Sequence, residues 1–235
     1  MNFTETLVSR EFGGAQPNAS SVLMFSGGRD STLAALRLVK EGLRPTLVTI
    51  SSNHLFGIEA VRARIDEMAV HLPVNTRWIR IEQPTNLATD TSFYKQTCLP
   101  CHHAYVVVAA AVARNVGARQ LAFGYTRYQN NWPEQTPLAI ASLRTVLSEY
   151  EIELQLPVAD LASSEEAQAE LTRAGLSTKS LEQKCSRQVT NVTLSPEALS
   201  AQISLWEAAI RRSMGSIDHI AGRILEEKVI GEREG

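Results

Sequence analysis

An apolar run, Ser21-Val22-Leu23-Met24-Phe25, leads directly into the polar loop Ser26-Gly27-Gly28-Arg29-Asp30-Ser31. A short apolar run that ends in glycines is typical of a buried strand that delivers the chain to a loop at its carboxyl end. From Ser31 to Glu41 apolar residues recur at helical spacing, and Gly42 is placed to end that helix in a left-handed conformation. The pattern therefore predicts a strand, a glycine loop and a helix, in that order.

Strand and helix patterns alternate along the residues that follow. We expect strands at 46–50, 76–81, 121–124 and 152–156, and helices at 58–69, 104–116, 138–150 and 163–175. Such alternation is typical of βαβ units, so it predicts an α/β fold of Rossmann-like class, with a doubly wound parallel sheet. Two amphipathic stretches, 196–214 and 217–228, predict a helical C-terminal appendage. We therefore expect one α/β domain over residues 1–190 and a helical segment over residues 191–235.

The composition is that of an ordinary globular protein. The chain has 235 residues, and 23 Lys and Arg face 25 Asp and Glu, a formal net charge of −2. No global positive field points to nucleic acid, although a local basic patch is compatible with this balance. The sequence has neither a signal-peptide pattern at its start nor an apolar run of the ~20 residues that span a bilayer. We expect a cytoplasmic protein without a membrane partner, and leave a homodimer open.

The glycine loop, residues 26–31 and hereafter the phosphate loop, has the features of an anion site. Its glycine pair lets the backbone approach a ligand closely, and successive N–H groups can form a nest at the positive end of the following helix. Ser26 and Ser31 add hydroxyl groups, and Asp30 can bind Mg²⁺ or steer a departing pyrophosphate. No lysine follows the glycines, which disfavours a Walker-type P-loop. The alternative is that the glycines only make a tight turn.

The hexapeptide resembles the Ser-Gly-Gly-x-Asp-Ser signature of the PP-loop ATP pyrophosphatases. The resemblance extends over roughly residues 21–189 and implies an adenine nucleotide α-hydrolase-like fold. It implies cleavage of ATP between the α and β phosphates, with Asp30 and Ser31 as catalytic residues and Ser26, Gly27, Gly28 and Arg29 as further nucleotide-binding residues. In such enzymes a substrate oxygen is adenylated and then departs with AMP when a nucleophile attacks.

Three further residues are predicted to contact the nucleotide. Ile50 and Ser51 end the second predicted strand, and Gly124 ends the fourth. Because ligands bind beyond the carboxyl ends of parallel strands, we expect these residues to approach adenine and ribose. Each could equally be an ordinary strand end.

The sequence contains three cysteines, in the order Cys98-Leu99-Pro100-Cys101 and then Cys185. An odd number with one Cys-x-x-Cys favours a metal or redox role over a disulfide framework. Two thiolates at a helix start and a third from a later loop can hold three irons of a cubane cluster. The alternatives are a thioredoxin-like pair, a zinc site completed by His102 or His103, and inert buried cysteines.

The order of phosphate loop, Cys-x-x-Cys and single Cys resembles the iron–sulfur branch of PP-loop enzymes, the tRNA 2-thiouridine and 2-thiocytidine synthetases. The resemblance implies that Cys98, Cys101 and Cys185 bind a [4Fe–4S] cluster and serve catalysis. It implies an open iron where sulfide binds before it attacks the adenylated base. A sulfur-donor protein is then a further expected partner.

Residues 125–137, hereafter the aromatic loop, are rich in aromatic and amide side chains that could stack on and hydrogen-bond a nucleobase. Within them, Trp132-Pro133-Glu134-x-x-Pro137 resembles a segment of the 7-cyano-7-deazaguanine synthases. Gln135 and Thr136 replace the Cys and Arg of those enzymes, and Tyr125 to Tyr128 replaces the His-x-x-Asp-Asp of the thiolation enzymes. The alternative is a surface turn organised by the two prolines.

Taken together, these patterns predict an ATP-dependent adenylating enzyme that replaces a nucleobase oxygen by sulfur. The substrate is a small nucleobase-like molecule or a base in tRNA. A carbon–nitrogen ligase similar to the deazaguanine synthases is the rival enzyme, and a nucleotide-binding module without chemistry is the third alternative.

Overall fold

The computed structural model describes residues 21–87, 97–187, 192–220 and 222–231. Its strands are β1 Ser21–Met24, β2 Pro45–Ser51, β3 Leu55–Phe56, β4 Thr76–Glu82, β5 Gln120–Ala122, β6 Glu153–Gln155, β7 Lys184–Cys185 and β8 Ile224–Ile230. Its α-helices are α1 Arg29–Lys40, α2 Ile58–Met68, α3 Leu99–Val116, α4 Pro137–Ser148, α5 Ser164–Arg173 and α6 Pro196–Met214. The predicted domain boundary between residues 190 and 191 lies outside the described residues.

The central sheet of the described chain has the strand order β6-β5-β1-β2-β4-β8. The first five of these strands are parallel, and β8 runs antiparallel to β4. From β1 the chain winds outward through α1 and α2 to β4, and then returns to β5 on the other side of β1. The sheet therefore reverses its winding between β1 and β5, where α/β folds bind ligands. The predicted doubly wound α/β architecture is confirmed.

Alternating side chains of each strand enter two apolar layers. Val22 packs in the layer that contains α3, α4 and α6, whereas the adjacent Leu23 packs in the layer that contains α1, α2 and α5. Helix α3 is buried around most of its circumference because it packs against both the sheet and α6, which explains its run of valines and alanines. No helix within the described ranges is long and apolar enough to cross a membrane.

The C-terminal segment is only partly as predicted. Helix α6 matches the first amphipathic stretch, but the helix predicted over residues 217–228 is wrong, because Ile224–Ile230 forms strand β8. The sheet edge decides this difference: β4 offers backbone groups that β8 pairs, and Arg77 donates to Glu227 across the pair at 2.8 Å. Pairing with an available edge outweighs a weak helical pattern in a short segment.

The start of α1 differs from the starts of α4, α5 and α6. Those three helices begin with Thr136, Ser163 and Ser195, whose hydroxyl groups accept hydrogen bonds from first-turn N–H groups. Helix α1 instead begins after Gly28, and no side chain of the described residues caps it. Helices α2 and α3 also lack a side-chain cap, but the start of α1 is where the glycine loop delivers the chain to the carboxyl ends of the strands.

Candidate active site at the carboxyl ends of the strands

A cavity of about 540 Å³ opens where β1, β2 and β5 end. Its wall is formed by the phosphate loop, the aromatic loop, the start of α3 and residues 180–185, hereafter the strap. All three cysteines lie on the same wall. The structure thus brings together the two groups of residues that the sequence singled out separately.

The phosphate loop is held by hydrogen bonds among its own residues. The Ser26 and Ser31 hydroxyl groups lie 3.0 Å apart, and Gly28 N–H donates to the Ser26 hydroxyl at 3.1 Å. Gly27 has a φ of +82°, and a Cβ there would lie 2.6 Å from the Leu181 carbonyl oxygen. A glycine is required at this position for both reasons.

Two buried side chains support the loop from the sheet. The Thr49 hydroxyl donates to the carbonyl of Phe25 at 2.6 Å, and the Trp78 indole N–H donates to the Thr49 oxygen at 2.9 Å. Phe25 immediately precedes the loop, and both supporting side chains are almost completely buried. The position of the loop is therefore set by the core as well as by local turns.

Asp30 lies at the start of α1 on the cavity wall. Its carboxylate accepts a 2.6 Å hydrogen bond from the Tyr128 hydroxyl, which the sequence did not predict. Burial raises the pKa of Asp30, although the Tyr128 hydrogen bond and the charge of Arg29 oppose that rise. The negative charge of Glu182, on the strap, raises the pKa further. Two carboxylates therefore face the region where the loop would receive phosphate and Mg²⁺.

Gly124 lines the cavity and touches α1. A Cβ at this position would lie 2.7 Å from the Ser31 backbone nitrogen and 2.9 Å from the Asp30 carbonyl carbon. Contacts this short with backbone cannot be relieved by a side-chain rotation. Besides its predicted approach to the nucleotide, Gly124 therefore allows β5 and the first turn of α1 to pack together.

The strap connects the phosphate loop to the end of β2. Leu181 N–H donates to the Gly27 carbonyl at 3.2 Å, and the Gln183 amide donates to the Ile50 carbonyl at 2.8 Å. Ser51 donates to the Gln183 side chain at 2.9 Å. Among the described residues the cavity wall includes Ile50 but neither Ser51 nor Gly27. Contact of Ser51 with a nucleotide stays a prediction, since its hydroxyl is engaged by the strap.

A buried arginine fixes the chain just before the strap. The Arg64 guanidinium on α2 is fully buried and donates to the carbonyl oxygens of Ser177, at 3.0 Å, and Lys179, at 2.6 Å. It also pairs with Glu67 at 2.6 Å. The strap is thereby attached to the core at its beginning.

The three cysteines come from separate elements and form what we call the cysteine wall. Cys98 and Cys101 lie at the start of α3, and Cys185 on β7 is opposite Leu55 on β3. All three are free thiols. Burial raises the pKa of Cys98 to about 12 and that of Cys101 to about 11; the charge of Glu134 adds to both shifts, and Arg187 opposes that of Cys101. Without a bound cation these two thiols are neutral at pH 7.

The zinc alternative named His102 or His103 as the histidine beside the cysteines, but a different histidine lies there. His54 lies 3.6 Å from Cys101, measured from Nε2 to Sγ, and its Nδ1 lies 2.8 Å from the Ser52 hydroxyl. His103 instead packs toward α6, where its Nε2 lies 2.9 Å from the Ser213 hydroxyl. The sequence missed His54, whose only signal was its position shortly after a predicted strand.

The arrangement of possible ligand atoms helps to decide whether the cysteine wall could bind a single zinc ion or an iron–sulfur cluster. In the part of the chain that the structure describes, no three His, Cys, Asp or Glu side chains converge so as to hold one metal ion. A single zinc ion needs such convergence, because its Zn–S bonds are only about 2.3 Å long. A cubane cluster instead binds each cysteine to a different iron. The three free thiols line one cavity, and each could bind a different iron of such a cluster.

The aromatic loop contributes to the wall of the cavity. Tyr125, Gln129, Trp132 and Glu134 lie on the wall, and Tyr125 stacks on Phe123 with a centroid distance of 5.0 Å. The loop is therefore part of the cavity rather than a turn that only faces solvent.

A buried pair of titratable side chains joins the aromatic loop to α3. Glu134 Oε1 lies 3.7 Å from His102 Nε2, and burial raises the pKa of Glu134 to about 7. Burial also lowers the pKa of His102 to about 3, so this imidazole is neutral and the pair is not an ion pair at neutral pH. The Tyr125 hydroxyl lies 2.7 Å from His102 Nδ1.

Comparisons with known proteins agree with this architecture. No family model and no curated protein matches the sequence. A 4-thiouridine synthetase, solved with RNA and bound ATP, is similar with a TM-score of 0.60 and 16% identity over 90% of this chain. The chain spans 55% of that protein's length.

Two other solved structures are similar over most of the chain. The U34-tRNA thiolase NcsA from Methanococcus maripaludis, solved with its [4Fe-4S] cluster, has a TM-score of 0.51 and 16% identity, covering 91% of this chain and 75% of that one. NMN synthetase from Francisella tularensis has a TM-score of 0.52 and 14% identity, covering 84% of this chain and 87% of that one. At these identities the likeness shows the fold. The chain has the adenine nucleotide α-hydrolase fold.

Proposed function

We propose that the protein is an ATP-dependent adenylating enzyme that activates a nucleobase oxygen for replacement by sulfur, releasing AMP and pyrophosphate. The observation that carries this proposal is the shared cavity: the phosphate loop and the cysteine wall face the same space. A reaction that needs ATP at one side of a substrate and sulfur at the other requires such an arrangement.

The phosphate loop supports the ATP half of the reaction. It lies at the switch point between β1 and β5, its helix start is uncapped, and Asp30 stands at the first turn. Backbone N–H groups and the helix dipole would hold the phosphates, while Asp30 would hold Mg²⁺ on the departing pyrophosphate. Ser31 would donate a hydroxyl to the same phosphates. A similar structure, the 4-thiouridine synthetase, contains bound ATP.

The aromatic loop supports a planar acceptor. Trp132 and the stacked pair of Phe123 and Tyr125 line the cavity with aromatic side chains. Planar bases are commonly held by stacking on such side chains. The acceptor is a nucleobase-like small molecule or a base extruded from tRNA. Adenylation of its carbonyl oxygen makes that oxygen leave with AMP, because AMP is a better leaving group than hydroxide.

The cysteine wall supports sulfur as the incoming atom. Cys98, Cys101 and Cys185 would hold a [4Fe–4S] cluster, which when bound supplies an iron without a protein ligand for an exogenous sulfide. The thiolase NcsA, which has a similar fold, was solved with a [4Fe-4S] cluster. His54 would lie beside Cys101 at the edge of this group. A sulfur-donor protein would be the natural partner.

A carbon–nitrogen ligase is the second candidate. Trp132, Glu134 and Gln135 line the cavity and belong to the segment 132–137, which resembles that of the deazaguanine synthases. The same ATP chemistry would then activate a carboxylate for attack by ammonia. The two candidates differ in the incoming atom and in the need for the cysteines.

The test uses protein purified without oxygen and incubated with ATP, Mg²⁺ and either total tRNA or free nucleosides. Phosphorus NMR follows AMP and pyrophosphate, and mass spectrometry follows sulfur or nitrogen in the acceptor. We expect both phosphorus products, with sulfide supporting product formation and ammonia not. Ammonia-dependent product would favour the ligase. If no acceptor yields AMP, the protein is a nucleotide-binding module and the proposal fails.

A further inference from the structure

Glu182 places a carboxylate of the protein itself against the phosphate loop. A Cβ on Gly28 would lie 2.8 Å from Glu182 Oε2 and 3.5 Å from the Ser180 hydroxyl oxygen. Helix α1 begins directly after Gly28, and a glycine there leaves the backbone open to an approaching anion. The space that the missing side chain leaves open is therefore taken by a carboxylate oxygen.

The two neighbours of Glu182 in the strap hold it in this place. Leu181 N–H donates to the Gly27 carbonyl at 3.2 Å, and the side-chain amide of Gln183 donates to the Ile50 carbonyl at 2.8 Å. The strap is thus attached to the phosphate loop just before Glu182 and to β2 just after it. We therefore expect the carboxylate to leave the loop by rotation of its own side chain, with the strap backbone staying in position.

The contacts of Glu182 leave much of its negative charge uncompensated. Its Oε1 accepts a hydrogen bond from the neutral Ser180 hydroxyl at 3.0 Å and lies 3.7 Å from Lys184 Nζ. That second distance is longer than a hydrogen bond, and the side chains of Glu182 and Lys184 are 42% and 59% exposed, so solvent screens the pair. Asp30 is near enough that the charge of Glu182 adds to burial in raising the pKa of Asp30. The empty phosphate loop thus faces two carboxylates.

Two carboxylates at this position oppose the binding of a bare phosphate chain. Free ATP would bring several negative charges to the glycine pair, where Glu182 and Asp30 already lie, and like charges at contact distance repel. The positive end of α1 carries only about half an elementary charge, which does not offset two carboxylates. A divalent cation on the phosphates removes this repulsion, because carboxylate and phosphate oxygens are the ligands that Mg²⁺ prefers.

We propose that Glu182 stands in for a phosphate in the empty protein, so that the phosphate loop rejects free ATP and accepts ATP only as its complex with a divalent cation. This inference rests on the proposed function in one respect, the assignment of ATP to the phosphate loop. When the complex binds, a phosphate takes the place of the carboxylate beside Gly28, and the remaining charge of Glu182 is offset by the cation. Glu182 therefore determines which ionic form of the nucleotide binds, whereas Asp30 acts on the departing pyrophosphate.

The experiment measures the binding of α,β-methylene-ATP by calorimetric titration, once with Mg²⁺ and once with EDTA in its place. This analogue cannot be cleaved between the α and β phosphates, so the measurement needs neither an acceptor nor a cluster. Proteins compared are the wild type, the nearly isosteric Glu182→Gln, the charge-conserving Glu182→Asp, and Glu153→Gln, a change of an exposed glutamate on β6. The Gln variant removes the charge and keeps the size of the side chain, whereas the Asp variant keeps the charge and shortens the side chain.

We expect the wild type, Glu182→Asp and Glu153→Gln to bind the analogue much more tightly with Mg²⁺ than with EDTA. With EDTA, Glu182→Gln should bind it about five- to tenfold more tightly than the wild type does, the size of a partly screened interaction between charges. With Mg²⁺ its affinity should change less, so the ratio of the two affinities falls. A residue that only bound the cation would give a different result, because its loss would weaken binding with Mg²⁺ and leave binding with EDTA unchanged.

Four results would overturn the inference: equal wild-type affinities in the two solutions, an unchanged affinity of Glu182→Gln with EDTA, an equal gain of Glu182→Gln in both solutions, or the same loss of Mg²⁺ dependence in Glu182→Asp. The last two would mean that the side chain only blocks space. If the wild type binds the analogue in neither solution, the assignment of ATP to the phosphate loop fails and the inference fails with it. Failure of the inference alone leaves the proposed function standing, because AMP release with an acceptor tests that function directly.

Discussion

The phosphate loop and the cysteine wall occupy one cavity but are built in opposite ways. The loop is six consecutive residues whose serines and glycines hydrogen-bond to one another. The cysteine wall is assembled from the start of α3 and from β7, which lie far apart in the chain. Among the described residues, the side chain of Cys101 makes a polar contact with His54. The loop is therefore formed before any ligand arrives, whereas the cysteine wall holds neutral thiols at Cys98 and Cys101 that would ionise only when a cation binds.

The largest expected effect comes from removing one thiol of the cysteine wall. Replacing Cys98, Cys101 or Cys185 by Ser should eliminate sulfur transfer and lower iron content, because each thiolate would bind a different iron. ATP affinity should be nearly unchanged, since the phosphate loop is built from other residues. Anaerobic wild type should contain about four irons and four sulfides per chain. Stoichiometric zinc in that preparation, or full activity of a triple Cys→Ser variant, would contradict this prediction.

Asp30→Ala should produce the reverse pattern. Its carboxylate faces the phosphate region and is not part of the apolar layers, so the fold should persist. ATP cleavage should fall by ~10²–10³-fold, the size expected for a missing electrostatic group. Iron content should stay at the wild-type level. Asp218→Ala, a change of an exposed residue, serves as the control, and near-wild-type AMP release by Asp30→Ala would remove the role assigned to Asp30.

A smaller effect is expected where the loop contacts β5. Gly124→Ala should weaken ATP binding and destabilise the protein by about 1–3 kcal/mol, as overpacking against rigid atoms does. Gly28→Ala is the matched comparison, because its Cβ would meet the mobile end of the Glu182 side chain at 2.8 Å. Calorimetric titration with α,β-methylene-ATP and thermal unfolding measure both effects. Only thermal stability is compared between the two variants, because Gly28 itself lies in the phosphate loop; an equal loss of stability would show that the backbone contact at Gly124 is unimportant.

The smallest expected effect is a shift in pH dependence. Tyr128→Phe removes a hydrogen bond that lowers the pKa of Asp30, so that pKa should rise further. If ATP cleavage needs ionised Asp30, activity is lost as the pH falls through this pKa, and the acid limb of the profile should move to higher pH. Rates at pH 8 should be nearly unchanged. A profile that superimposes on that of the wild type would show that Tyr128 does not affect the ionisation of Asp30 that ATP cleavage needs.

The sequence predicted best what is encoded locally. The strand, loop and helix around residues 21–42 follow from apolar spacing and two glycines, and the structure reproduces them. Ser163 was predicted to open a helix, and it caps α5. The shared position of the three cysteines was expected only through the resemblance, because no local pattern relates Cys185 to Cys98.

What the sequence missed depends on contacts between distant segments. Strand β8 exists because β4 offers an edge, which no periodicity within 217–228 reveals. Tyr128 reaches Asp30 from a loop 98 residues later, and His54 reaches Cys101 across 47 residues. Such pairs become visible only once the carboxyl ends of the strands are placed side by side.

The strap links the phosphate loop to the cysteine wall, so binding at one can affect binding at the other. Leu181 contacts the phosphate loop and Cys185 belongs to the cysteine wall. Only four peptide units separate them, a span of at most about 14 Å. If an occupied loop displaces Leu181, the free energy of that displacement also acts on the side chain of Cys185. Thermodynamic reciprocity then requires that a ligand at Cys185 change the affinity for ATP by the same factor by which ATP changes the affinity for that ligand.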